Sequence, residues 1–187
     1  MTLSSADIPL FTRPFYFMRH GESEANLGDT IAGSLDVALT ERGHQQAIAA
    51  AAALRPLGIT AIYSSALARA RDTAAHAGSA LGLPVTTIAE LAERSWGELE
   101  GKPRATRVRG VTPPGAETPE QYMQRVLRGL VQVDPRGKPL IVAHSGVFRV
   151  LCRTLGLKEP DAPYSNARPV RFFPPAAPAG AWRIEPL

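Results

Sequence analysis

Two stretches decide the fold: Phe15-Tyr16-Phe17-Met18 running into Arg19-His20-Gly21-Glu22, and Pro139-Leu140-Ile141-Val142-Ala143 running into His144-Ser145-Gly146. Each is a short apolar run ended by a histidine. Apolar runs without polar alternation read as strands buried on both faces, as in a parallel sheet. Ligands of open α/β sheets bind at the carboxyl ends of the strands. Two such strands side by side would bring both imidazoles to that edge, although well over a hundred residues separate them. Arg19 adds fixed positive charge beside His20. The combination implies a phosphate site with a histidine nucleophile.

Outward from these runs, strand and helix patterns alternate. Thr40 is placed to cap a helix that runs to about Arg55 and shows Ala47, Ile48, Ala51 and Leu54 at helical spacing. Thr60 to Tyr63 reads as a second strand. Ser64 or Ser65 is expected to cap the next helix, whose apolar face is Leu67, Ala70, Ala74, Ala77 and Leu81 and whose end is Gly82. Pro84 to Ile88 reads as a short strand. Thr118-Pro119-Glu120-Gln121 is a capping box with proline at the first helical position, and Met123, Val126, Leu127 and Leu130 form the buried face of the helix it opens. Val147 to Leu155 is a helix stopped by Gly156. Val170–Phe173 and Trp182–Ile184 read as edge strands joined by a Pro/Ala-rich turn. Residues 1–13 read as an irregular arm, 21–38 as a loop, and 89–117 as a surface excursion over the site. The expected fold is α/β: a three-layer sandwich with a mostly parallel central sheet flanked by helices, in one domain over 1–187.

Composition narrows the function classes. A chain of 187 residues, 44% hydrophobic, fits one globular domain and excludes wholesale disorder. No apolar stretch is long enough to span a bilayer, and residues 1–14 lack a secretory pattern. The one cysteine, Cys152, allows no internal disulfide and suits a reducing cytoplasm. The net charge of +4 comes from arginines spread along the chain, and aromatics are only 6%, which argues against nucleic-acid binding; with no apolar span, no membrane partner is expected. A small anionic metabolite is the expected partner, and an edge strand leaves a homodimer open.

A phosphomonoester must be neutralised before a nucleophile can approach, and the arginine fork does this bidentately. Arg19 is one candidate. Arg69 is the other, in the first turn of a helix where free N–H groups also favour an anion. His20 can attack through one ring nitrogen if the other is held, and His144 can steady the transferring oxygens. His44 and His76 fall within helical patterns and read as structural or exposed. The arginines Arg104, Arg107 and Arg109 suit either recognition of an acidic substrate group or a solvated loop.

The segment Met18 to Asn26 resembles the signature of the histidine phosphatase superfamily, the phosphoglycerate mutase-like branch. The resemblance continues in order through Asp36–Ala47, Ser64–Ala74, Leu91–Gly101, Pro114–Thr118 and Val142–Gly146, and covers about residues 14–155. It implies that fold. It also implies phosphohistidine at His20, with Arg19, Arg69 and His144 around the phosphate and Glu93 as general acid and then base. Ser23, Asn26, Gly33, Ser145 and Gly146 would lie close to the bound phosphate. Ala38 and Ala66 stand where relatives often carry proline or a polar residue, and Ser145 where glycine is common.

No metal is implied, and no cofactor for a phosphatase. The expected activity is metal-independent hydrolysis of a small phosphomonoester. The alternative is a phosphoglycerate mutase, for which 2,3-bisphosphoglycerate would be the cofactor. Mutases of the family carry a longer segment where this chain has only Lys102 to Pro113, and a short cover admits water. A catalytically silent binding module would have lost one of the five central residues, and all five are present.

Overall fold

A computed structural model describes residues 2–159, 164–176 and 180–187. In chain order the main elements are β1 (Phe15–Arg19), α1 (Glu24–Leu27), α2 (Glu41–Leu54), β2 (Ala61–Ser65), α3 (Ala68–Leu81), β3 (Val85–Ile88), α4 (Pro119–Val131), β4 (Pro139–Ala143), α5 (Ser145–Thr154), β5 (Pro169–Phe173) and β6 (Arg183–Pro186). The strands form one sheet in the order β3-β2-β4-β1-β5-β6. The β3-β2-β4-β1 half is parallel, and β5 and β6 add antiparallel strands beyond β1.

Side chains alternate across each strand, so an apolar run must be covered twice. Phe15 and Phe17 of β1, with Ile141 of β4, pack against Val126, Leu127 and Leu130 of α4 and Val147 and Leu151 of α5. Tyr16 and Met18, with Leu140 and Val142, pack against Ala50 and Leu54 of α2 and Ala74 and Ala77 of α3. The result is the expected three-layer α/β sandwich about a mostly parallel sheet.

Local signals set most helix ends. The Thr40 hydroxyl accepts from the Gly43 N–H at 3.0 Å, and Thr118 with Gln121 forms the capping box of α4. Gly82 ends α3 in the left-handed region at φ 66°.

Five expectations are corrected. Ser64 and Ser65 end β2 instead of capping α3. The residue before α3 is Leu67, which makes no side-chain cap, and the carboxylate of Asp36, from the loop before α2, accepts from the Ala68 N–H instead. Ile48 is 47% exposed, because the buried seam of α2 runs through Gly43, Ala47, Ala50 and Leu54. The N-terminal arm contains two 3-10 turns and buries Ile8 and Leu10 in the core. The loop after β1 carries the four-residue helix α1, capped by Ser23. The final strand is shifted to Arg183–Pro186, and the turn before it lies partly outside the described residues.

Candidate active site

The β1–β4 register pairs Arg19 with Ala143, so the next residue of each strand is a histidine at the same sheet edge. The His20 and His144 ring centroids are 5.2 Å apart. The His20 amide donates to the Ala143 carbonyl at 2.9 Å, which extends the ladder to the edge where both histidines sit. His20 Nδ1 meets the Gly21 carbonyl at 2.6 Å. A carbonyl only accepts, so Nδ1 carries the hydrogen and Nε2 keeps its lone pair. His20 and His144 are buried. Burial, and then the nearby guanidiniums of Arg19 and Arg69, hold both histidines well below the usual imidazole pKa. Both rings are therefore neutral at pH 7.

His144 Nε2 lies 2.8 Å from Ser65 Oγ, at the end of the neighbouring strand β2. Ser65 Oγ already accepts from the Leu67 N–H at 3.2 Å. Its hydrogen can donate to Nε2, in which case the His144 proton sits on Nδ1. That nitrogen is buried and has no partner among the described residues.

Arg19 ends β1 and Arg69 occupies the first turn of α3; they are 6% and 1% exposed. Arg19 Nη1 donates to the Tyr164 carbonyl at 2.6 Å, and its Nε is buried without a partner among the described residues. Burial lowers the Arg19 pKa to about 10, so it stays charged at neutral pH. Arg69 donates to the Leu35 and Gly33 carbonyls at 2.7 and 2.8 Å. Neither guanidinium has a carboxylate within salt-bridge distance among the described residues. Two buried charges without a carboxylate in contact are costly unless an anion completes them.

Glu93 comes from the excursion after β3. Its Oε1 accepts from the Tyr122 hydroxyl at 2.8 Å and from the Arg94 N–H at 2.9 Å; its Oε2 accepts from the Gly146 N–H at 3.0 Å. Arg125 of α4 grips the backbone that carries it, donating to the Glu90, Ala92 and Glu93 carbonyls while pairing with the Glu117 carboxylate at 2.6 Å. Gly146 permits the approach, since a Cβ there would run into Glu93 Oε1 and the Tyr122 hydroxyl.

Two cavities meet at this carboxyl. The inner one, about 70 Å³, is lined by Arg19, His20, Ser23, Asn26, Gly33, Arg69 and Ser145 among others. The outer one, about 200 Å³, lies toward α5; both include Glu93, Trp96, Arg107 and Ser145 in their walls. The expected phosphate-site residues thus gather at the inner cavity, with two differences. His144 is fully buried next to His20 and is not in the wall of the inner cavity. Gly146 borders the outer cavity and holds Glu93. Trp96 has the guanidiniums of Arg107 and Arg94 over its ring at 3.8 and 4.4 Å. His44 and His76 form a half-buried pair at 3.1 Å between α2 and α3. Among the described residues no three His, Cys, Asp or Glu side chains gather as a metal site.

Several site residues carried no signal in the sequence. Asn166 Nδ2 lies 2.9 to 3.1 Å from the His20 and Gly21 carbonyls and Asn26 Oδ1. Thr73 accepts from the Gly21 N–H and donates to the Arg69 carbonyl, tying α3 to the loop after β1. With Tyr122, Arg125 and Ser65, they act through partners far away in sequence. The capping box that precedes Tyr122 and Arg125 marks their helix but not their aim.

Paired histidines at adjacent strand ends, two buried arginines without a carboxylate in salt-bridge contact and a facing carboxyl define an α/β protein with a histidine-centred, arginine-lined cavity. The chain belongs to the histidine phosphatase superfamily (branch 1), whose model matches residues 15–168. It is 31% identical over 150 residues to the uncharacterized phosphatase PhoE of Bacillus subtilis, covering 77% of this chain and 78% of that protein. It is 34% identical over 157 residues to a probable phosphoglycerate mutase GpmB of Erwinia tasmaniensis, covering 75% and 73%. A mycobacterial glucosyl-3-phosphoglycerate phosphatase complexed with VO3 superposes with a TM-score of 0.77 at 27% identity, covering 93% of this chain and 98% of that one. No helix among the described residues is long and apolar enough to cross a membrane.

Proposed function

We propose that the chain, acting as a single catalytic domain, hydrolyses a small phosphomonoester through a phosphohistidine at His20, with no metal. The observation that carries this reading is the state of His20: Nδ1–H held by the Gly21 carbonyl at 2.6 Å, with the ring lining a cavity beside two uncompensated guanidiniums. Arg19 and Arg69, with Ser23, Asn26, Gly33 and Ser145 around them, neutralise and orient the phosphoryl group. The His20 Nε2 lone pair forms the N–P bond as the P–O bond to the leaving group breaks. His144 donates from Nδ1 to a transferring oxygen.

Glu93 supplies the leaving-group proton. Two donors fill its Oε1, while Oε2 has one donor and room for a hydrogen. The carboxylate left behind then takes a proton from water. The water oxygen bonds to phosphorus, the N–P bond breaks, and its electron pair returns to Nε2.

The test is turnover of p-nitrophenyl phosphate with EDTA present, beside His20→Ala and beside 3-phosphoglycerate with 2,3-bisphosphoglycerate. Phosphate release that EDTA leaves intact and His20→Ala lowers by at least about 10³-fold is the expected result. Bisphosphate-dependent isomerisation without hydrolysis would overturn it in favour of a mutase.

A further inference from the structure

We propose that the outer cavity binds a second anionic group, a carboxylate or a phosphate, on the leaving-group side of the substrate, with Arg107 as its principal ligand. This rests on the phosphomonoesterase reading above. If Glu93 protonates the leaving oxygen, the leaving group extends into the space beyond Glu93, which is this cavity. Its volume, about 200 Å³, exceeds the roughly 150 Å³ that accommodates a benzene-sized ligand. A leaving group of a few carbons fits.

The charges on its wall exceed what the phosphoryl group needs, since that group has Arg19 and Arg69. The outer wall holds Arg94, Arg107, Arg149 and Arg153. Arg94 is spent on the Glu117 carbonyl and the Thr112 hydroxyl. Arg149 and Arg153 share the single carboxylate of Glu159, at 3.6 and 3.0 Å. Arg107 makes no side-chain hydrogen bond or ion pair among the described residues and lies 3.8 Å over the Trp96 ring. The indole face holds the guanidinium at the junction of the two cavities, leaving its N–H fork for an acceptor. Partial burial and the like charges of Arg104 and Arg94 lower its pKa, so an anion there relieves repulsion as well as forming hydrogen bonds. The sequence left Arg104, Arg107 and Arg109 as substrate ligands or solvated loop. The structure separates them: Arg104 borders only the inner cavity and pairs with Asp29 at 3.3 Å, and Arg109 borders neither cavity.

Calorimetry on the His20→Ala protein tests the proposal with two matched pairs of ligands. One pair is 3-phosphoglycerate and glycerol 3-phosphate, which differ by a carboxylate. The other is 1,3-propanediol bisphosphate and 3-hydroxypropyl phosphate, which differ by a phosphate. The acidic member of at least one pair is expected to bind about ten-fold tighter or more, and the pair that shows it identifies the anion. Arg107→Gln in the same background removes the preference, and Arg107→Lys keeps part of it. Glu159→Gln frees Arg149 and Arg153 and strengthens the preference about three-fold, a gain that misfolding cannot produce. Equal binding within both pairs, no binding of any of the four, or a preference that survives Arg107→Gln overturns the proposal. Parallel p-nitrophenyl phosphate turnover by the unaltered protein keeps the two readings apart. Turnover without an acid preference sinks only this inference; an acid preference without turnover sinks only the hydrolase reading.

Discussion

The inner and outer cavities share walls but are built in different ways. The inner one is made at the sheet edge: His20 follows directly from β1, with His144 buried next to it at the end of β4, and its arginines end β1 and start α3. Ladder hydrogen bonds and two apolar layers fix those positions. The outer one is made by side chains of the excursion after β3, of α4 and of α5, with Arg149 and Arg153 held by the Glu159 carboxylate and Arg107 by the Trp96 indole. A group rigidly placed by a sheet suits a reaction step common to many substrates. A wall of side chains on turns can change without disturbing that step, and so suits substrate choice. Glu93 stands between the two, carried by the outer region yet clamped by Tyr122, Gly146 and Arg125.

Substitutions can break that division. Glu93→Gln should lower kcat/KM for an alkyl phosphate by about 10²- to 10⁴-fold. It should lower kcat/KM for p-nitrophenyl phosphate much less, because p-nitrophenolate leaves without a proton, while kcat falls on both substrates through the slower water step. Equal losses of kcat/KM on both substrates would mean that Glu93 is only a structural part of the wall. Gly146→Ala should reproduce that alkyl-selective loss, at about 10- to 10²-fold, because a Cβ displaces the carboxyl and the Tyr122 hydroxyl together. A crystal structure of this variant with Glu93 unmoved would contradict the clamp.

How much of this was legible in sequence follows the same division. His20, His144, Arg19 and Arg69 were readable because each sits at the end of a pattern: two apolar strand runs and the start of a helix. Glu93 could be singled out only through the family resemblance, since nothing around it has a period. Ser65 was misread as a helix cap. Its hydroxyl instead serves the neighbouring strand end, a cross-strand contact that no local pattern encodes. Asn166 lies beyond the resembling segment and acts across 145 or so positions in sequence. Asp36 caps a helix that starts more than thirty residues later.

Smaller effects sharpen the contrast. Ser65→Ala should lower kcat about ten-fold and shift the His144 15N signals from the Nδ1–H tautomer toward a mixture. Signals of an Nε2–H tautomer in the unaltered protein would refute that hydrogen-bond assignment.

The depressed histidine pKa values also set a pH dependence of stability. A histidine whose folded pKa lies below the unfolded value of about 6.5 contributes stability above that pH and loses it as pH falls toward the folded pKa. Denaturant midpoints at pH 7.5 and 5.0 should therefore fall more in the unaltered protein than in His144→Asn, by up to about 1.4 kcal/mol per pH unit for one histidine. Identical slopes would mean that His144 is protonated in the fold. At the bottom of the scale, Arg109→Ala should leave kcat/KM unchanged for acidic and neutral substrates alike. A loss confined to acidic substrates would extend the anion site beyond the outer cavity.

The central claim is that His20 Nε2 takes the phosphoryl group. Rapid quench with p-nitrophenyl phosphate, followed by peptide mapping under alkaline conditions, tests it directly. The account predicts an acid-labile, alkali-stable phosphoryl group on the peptide containing His20, absent from His20→Ala and longer-lived in Glu93→Gln when an activated ester is the donor. Turnover at full rate with no phosphorylated peptide, or with the label on His144, would contradict it.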